Sequence, residues 1–308
     1  TLIARPRRFG KTLNMSMVET FFSVDYADRG DLFEGLSIWE EEKYRKLQGT
    51  YPVISLSFAR VKEKDYGITY KKICEILRNL YIKYSFLKES NVLTDADRVF
   101  FERMMEVDIE ENIATSALYQ LADYLHRYYG KKVIILLDEY DTPMQEAYVN
   151  NYWDDLVGFT RSLFNSTFKT NPFLERGLMT GITRVSRESV FSDLNHLNVV
   201  TTTSNEYASS FGFTKEEVLA ALDEFGFRDE EENVKFWYDG FIFGKIKEIY
   251  NPWSILNFLD KGIFNVYWAN TSANTLISSL LQRSNPDIKS EFEDLLKCNS
   301  IHKVLDEQ

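Results

Sequence analysis

Five consecutive aliphatic residues, Val133 to Leu137, run directly into two acids, Asp138 and Glu139, with Asp141 just beyond. The run is too short to cross a membrane. It also lacks the polar alternation of a strand with one wet face, so it reads as a strand buried on both faces. Such strands belong inside parallel sheets that carry helices above and below. This stretch therefore predicts an α/β architecture. Acids that follow a buried parallel strand emerge at the carboxyl edge of the sheet, where open α/β folds hold their ligands.

The start of the chain has a matching layout. A short apolar strand ending at Ala4 leads into a basic turn (Arg5, Arg7, Arg8, Phe9), then Gly10-Lys11-Thr12, then an amphipathic run from Leu13 to Phe22. Strand, turn, Gly-Lys-Thr and helix is the order of a phosphate-binding loop. Backbone N–H groups of the turn and the helix N-terminus point at phosphates, and the helix dipole adds partial positive charge. Gly10 lets the backbone approach without a Cβ. Gly-Lys-Thr alone arises on the order of once in ten chains of this length. The usual Walker A rule also places a glycine where Arg5 stands, so a basic surface turn before a helix is the competing reading. The acidic tip after Val133–Leu137 shifts the balance, because it has the Walker B layout. Together the two stretches predict a nucleotide site with Mg²⁺. Lys11 would reach the β- and γ-phosphates, Thr12 and Asp138 would hold Mg²⁺, and Glu139 would orient an attacking water. The plainer reading of Asp138 is a cap on the next turn. Asp141 fits three roles: an acid supporting the site, a helix cap before Pro143, or a rival to Glu139 as base.

Between these motifs, Tyr51 to Phe58 reads as a second strand, with Pro52 tolerated at its start. Residues 23–50 read as an irregular insertion packed on the sheet. Ile73, Ile76, Leu77, Leu80 and Tyr84 fall at helical spacing, and so do Ala114, Leu118, Leu121, Ala122 and Leu125 on a helix ended by Gly130. Pro143 is expected to stop the turn after Asp141, and residues 153–168 form a further helix. Leu174 to Ile182 is a fourth strand and Leu197 to Thr202 a short fifth. At the end of the fourth strand, Thr180 or Thr183 is placed to sense the γ-phosphate. Arg184 or Arg187 is placed to contact phosphate from the same subunit or a neighbour; pairing with Glu188 or Asp193 is the competing role for those arginines.

Beyond residue 204 the pattern changes to short capped helices. Thr214 and Glu217 form a capping box with a Phe213–Val218 staple. Asn251 caps a helix with Pro252 at its first position and Gly262 past its end, and Ser272 caps a last helix through Leu281. Gly240 to Tyr250 reads as a hairpin, and Trp237, Trp253 and Trp268 as core. The expected organisation is a P-loop domain over residues 1–203 and a small, mostly helical domain over 204–308.

Several stretches resemble the bacterial predicted AAA-ATPase (AAA-ATPase-like) family, in order and over almost the whole chain. They are Arg5-Pro-Arg-Arg-Phe-Gly-Lys-Thr12, Tyr51-Pro-Val-Ile54, Leu137-Asp-Glu-Tyr-Asp141, the run from Thr180 to Ser192, Trp237-Tyr-Asp-Gly240, Tyr250-Asn-Pro-Trp-Ser254 and Tyr267-Trp-Ala-Asn-Thr-Ser272. The resemblance makes Arg5 a family habit. It implies an ASCE-type P-loop fold with a three-layer parallel sheet, use of ATP rather than GTP, and a lid-like C-terminal part. It also implies residues upstream of the first strand and, in many members, a downstream PD-(D/E)XK nuclease-like domain that would link the ATPase to DNA transactions or defence. A homo-oligomer is the assembly expected of such a module.

Composition narrows the partners. A net charge of −11 argues against broad binding to nucleic acid or anionic lipid. The basic turn, with four cations and no acid in residues 1–18, points instead to a small anionic ligand. The eight acids of residues 211–233 read as a solvated face. Cys74 and Cys298 lack metal spacing and suit a reducing cytoplasm. His126, His196 and His302 lie too far apart to suggest a metal site. Nothing in the chain assembles a nuclease constellation.

Overall fold

The five-stranded sheet runs in the order β2-β3-β4-β1-β5, every pair parallel. Its strands are β1 (Leu2–Ala4), β2 (Val53–Ser57), β3 (Val133–Asp138), β4 (Leu174–Gly181) and β5 (Val199–Val200). The computed structural model describes residues 1–185, 190, 191, 194, 196–268, 280–282, 284–297 and 299–301. Arg187, Glu188, Asp193, Ser272, Cys298 and His302 lie outside the described residues.

Every residue of β3 is buried, as its composition requires. The two-residue period of a strand then sorts its side chains between two layers. Ile134 and Leu136 meet Met15 of α1 (Lys11–Phe22), while Val133, Ile135 and Leu137 join the larger core on the opposite face. That core is built by α2 (Tyr66–Lys83), α3 (Asp95–Met104), α4 (Ala117–Tyr129) and α6 (Trp153–Phe168). Gly130 ends α4 at φ 66°. Among the described residues no helix is long and apolar enough to cross a membrane.

Some local expectations need correction. Pro143 does not stop the chain after Asp141: it occupies the first turn of α5 (Thr142–Asn150), where its missing N–H has no helical partner to lose. Residues 23–50 form short helical turns, and Phe33 packs its ring 5.0 Å from that of Phe21 on α1. The fifth strand is shorter than expected because only Val199 and Val200 pair with β1.

The C-terminal part carries α7 (Lys215–Phe225) with its Thr214–Glu217 capping box, α8 (Glu231–Tyr238), a hairpin of β6 (Phe241–Phe243) and β7 (Ile246–Ile249), α9 (Pro252–Lys261) and α10 (Pro286–Leu296). It has its own core around Leu222, Val234, Ile255 and Phe258. The reading of three tryptophans as core fails. Trp237, Trp253 and Trp268 are 41%, 38% and 48% exposed, since smaller rings and aliphatics fill that core.

Arg5 joins this part to the sheet. Its side chain is fully buried and turned away from the basic turn. The guanidinium donates to the carbonyls of Thr201, Glu206 and Tyr207 and lies 4.7 Å from the Phe243 ring centroid. Burial pulls its pKa below the ordinary value. Phe9 is likewise inward, edge-on to Phe241 at 4.7 Å. Neither side chain lines the cavity beside the basic turn.

Removing the fork takes away the donor to the Thr201, Glu206 and Tyr207 carbonyls and leaves a cavity where a fully buried side chain stood. Arg5→Ala is expected to lower stability by roughly 2–4 kcal/mol, measured by urea unfolding. Arg5→Lys should recover only part, because an ammonium cannot reproduce a planar fork.

Candidate functional site

The turn after β1 is shaped by two left-handed residues, Arg8 at φ 69° and Gly10 at φ 77°. The first helical N–H bond of α1 is Asn14 N to Gly10 O, so the amides before it have no acceptor within the helix. Free amides at a helix N-terminus are groups that can receive an anion. Lys11 is buried, and its ammonium donates to the carbonyls of Arg5 and Pro6 at 3.1 and 3.0 Å. Burial lowers its pKa, against the opposing pull of Glu139, Asp141 and Asp138.

The acidic tip of β3 meets this turn directly. Thr12 Oγ1 donates to Asp138 Oδ2 at 2.6 Å. Thr180 Oγ1, from the end of β4, donates to Asp138 Oδ1, as does the Glu139 amide at 3.0 Å. Strand order explains the meeting, because β4 lies between β1 and β3 and delivers Thr180 between the two motifs. Glu139 adopts φ 53°, an uncommon conformation for a residue with a side chain. Its carboxylate accepts from Thr142 Oγ1 at 3.0 Å, which fixes its direction.

Asp141 turns the other way. It is fully buried, and its Oδ2 accepts from the amides of Ile182 and Thr183, the Thr183 hydroxyl and the Gln145 amide. That carboxylate clamps the chain leaving β4 and makes no side-chain cap to α5. Gly181 is needed for this packing, because a Cβ there would sit 2.6 Å from Asp141 Oδ1 and 2.7 Å from the Tyr140 ring.

One cavity of about 700 Å³ collects most of the sequence-derived candidates. Arg7, Arg8, Gly10, Lys11, Thr12 and Glu139 line it. Asp138 and Thr180 sit beneath, bonded to Thr12 or to one another. Arg184 is not brought in; it lines a separate cavity of about 180 Å³ with Phe191 and Leu197. Among the described residues no group of three or more His, Cys, Asp or Glu is placed to hold a metal. The oxygen donors that converge are Thr12 and Asp138.

Sequence reading missed part of the lining. Lys62, Thr142, Gln145 and Glu146 come from the loop after β2 and from α5, and Pro252, Trp253 and Leu256 from α9. Asn251, the N-cap of α9, donates through Nδ2 to the Arg7 carbonyl at 3.4 Å, which brings the helix to the turn. No spacing rule links residues 244 positions apart in this way. A proline-tryptophan pair after a capping asparagine was the one local sign that a helix end stood there.

A protein of Azotobacter chroococcum mcd 1, described as an uncharacterized protein in the vnfD 5' region, is 24% identical over 281 residues. That similarity covers 91% of this chain and 48% of the other, so the chain spans about half the length of that relative. No solved structure matches. The family model described as Predicted AAA-ATPase matches residues 1–191, and that description points to an ATP-binding NTPase. With more than half of its 308 residues matched, the chain belongs to the Predicted AAA-ATPase family.

Proposed function

We propose that this chain is a Mg²⁺-dependent, ATP-binding NTPase that hydrolyses the β–γ phosphoanhydride bond. Residues 1–203 would form the ATPase domain and residues 204–308 a lid-like helical domain. The observation that carries the reading is the 2.6 Å bond from Thr12 to Asp138, because it brings two motifs 126 residues apart to one point beside Lys11.

Phosphoryl transfer asks a protein mainly for positioning and charge. The free amides at the start of α1 take phosphate oxygens, and Lys11 exchanges its bonds to the Arg5 and Pro6 carbonyls for bonds to the β- and γ-phosphates. Thr12 and Asp138 fit Mg²⁺, which favours hard oxygen donors and needs only one or two side chains beside phosphate and water; bound there, it would neutralise charge on the phosphate oxygens. Glu139, steadied by Thr142, holds the attacking water and takes its proton. The new O–P bond forms as the β–γ bridging bond breaks, leaving ADP and phosphate. Arg7 and Lys62 face the same cavity and supply positive charge. Arg184 would need to leave its separate cavity to contribute, or an arginine would come from a neighbouring copy. Adenine over guanine rests on the family resemblance. Coupling to DNA transactions or defence through a nuclease-like domain is a proposal for a longer protein.

A second reading, a nucleotide-bound switch with little turnover, draws on the same bonds. Lys11, Thr12 and Asp138 already satisfy one another or the turn, so each nucleotide contact has an internal bond to replace.

Lys11→Ala is expected to weaken ATP binding about 100-fold or more by calorimetry, the scale of losing a desolvated charge contact. Glu139→Gln should keep ATP affinity within about threefold while phosphate release falls about 100-fold or more. Normal release by that variant removes Glu139 from the mechanism. Wild-type binding without release favours the switch.

A further inference from the structure

Part of the cavity lining does not resemble a phosphate site. It is built by Pro252, Trp253 and Leu256 of α9, with Leu13 beside them at the start of α1. Leu13 and Leu256 are 65% and 53% exposed, and Trp253 is 38% exposed. Trp253 and Leu256 are three residues apart and share one helix face. The tryptophan is held from two sides: its Nε1 donates to the Tyr267 carbonyl at 3.3 Å, and the Arg8 guanidinium lies 4.5 Å from its ring centroid. Its polar atom is satisfied within the protein, and what remains toward the cavity is apolar aromatic surface. Leu13 directly follows Thr12, so this surface begins where the phosphate-facing amides end.

An anion alone has no use for such a wall. A ligand that is charged at one end and flat and aromatic at the other matches the cavity at both ends. We propose that Trp253, flanked by Leu13 and Leu256, is the platform on which the base of the bound nucleotide lies. The assignment rests on the reading of Lys11 and the neighbouring turn as the phosphate site and extends it to base recognition by the C-terminal part of the chain. Recognition by stacking is tolerant of base identity, because every base presents a π face. The platform therefore supplies affinity for a nucleoside over bare phosphate and leaves the choice between bases to other contacts. Because Asn251 is bonded to the Arg7 carbonyl, the platform and the phosphate turn are fixed relative to each other before a ligand arrives.

The test separates base from phosphate by comparing ATP with inorganic triphosphate, both with Mg²⁺, in calorimetry on the whole chain. Wild type should bind ATP more tightly than triphosphate. Trp253→Ala should lose about tenfold to 100-fold in ATP affinity, the range for removing one stacking aromatic, with triphosphate affinity unchanged. Trp253→Phe should stay within about threefold of wild type for both ligands, since phenylalanine keeps an aromatic face. Equal loss of both ligands in Trp253→Ala would mean that the ring only seats Arg8 and the turn, and would overturn the platform. So would no loss of either, or equal wild-type affinities for the two ligands, and these results would leave the phosphate reading intact. Failure of wild type to bind triphosphate at all would overturn the phosphate site and the platform together.

Discussion

The carboxylate of Asp138 is the joint on which this structure turns. A buried carboxylate without hydrogen-bond donors is costly, and here two of the donors come from remote parts of the chain. Thr12 approaches from the helix after β1, Thr180 from the end of β4, and the Glu139 amide from the next residue. These bonds can form together only if β4 lies between β1 and β3, which is the observed order. Sheet topology and site geometry are thus one constraint. The same oxygens that close the end of the sheet are the hard donors that a cation beside a phosphate would use, so the joint is complete without a ligand and has bonds ready for exchange.

Electrostatics reinforces this placement. The chain as a whole carries −11, which at long range repels an anion. Screening confines that repulsion to about 8–10 Å at physiological salt. Within such distances the cavity presents Arg7, Arg8, Lys11 and Lys62, together with Glu139 and Glu146. The positive charge at the turn is therefore a local property, set by its own residues rather than by the net charge of the chain.

Much of this was legible in the sequence because it depends on short-range rules. The run Val133–Leu137 specified a two-faced strand, and β3 is buried throughout. Thr214 with Glu217 and Asn251 with Pro252 marked helix starts that appear where the caps stand. Helix α3 escaped notice although Thr94 and Asp97 box its start, because aspartate stands where the familiar signature has glutamate or glutamine. Lys11, Thr12 and Glu139 were readable as neighbours through their motifs. The inward turn of Arg5 and Phe9, the separate position of Arg184 and the wall from α9 were not, because each depends on contacts between distant segments that leave no periodic trace.

Arg5 also sets how the polypeptide can be divided. The stretch matched by the family description ends at residue 191, before β5 and before the Thr201, Glu206 and Tyr207 carbonyls that the guanidinium reaches. A fragment cut at that boundary would keep the basic turn but strand a desolvated cation next to it, with the edge of β1 stripped of its neighbour β5. A unit that keeps all of these contacts must run past Phe243, so one buried side chain ties the sheet to the C-terminal part.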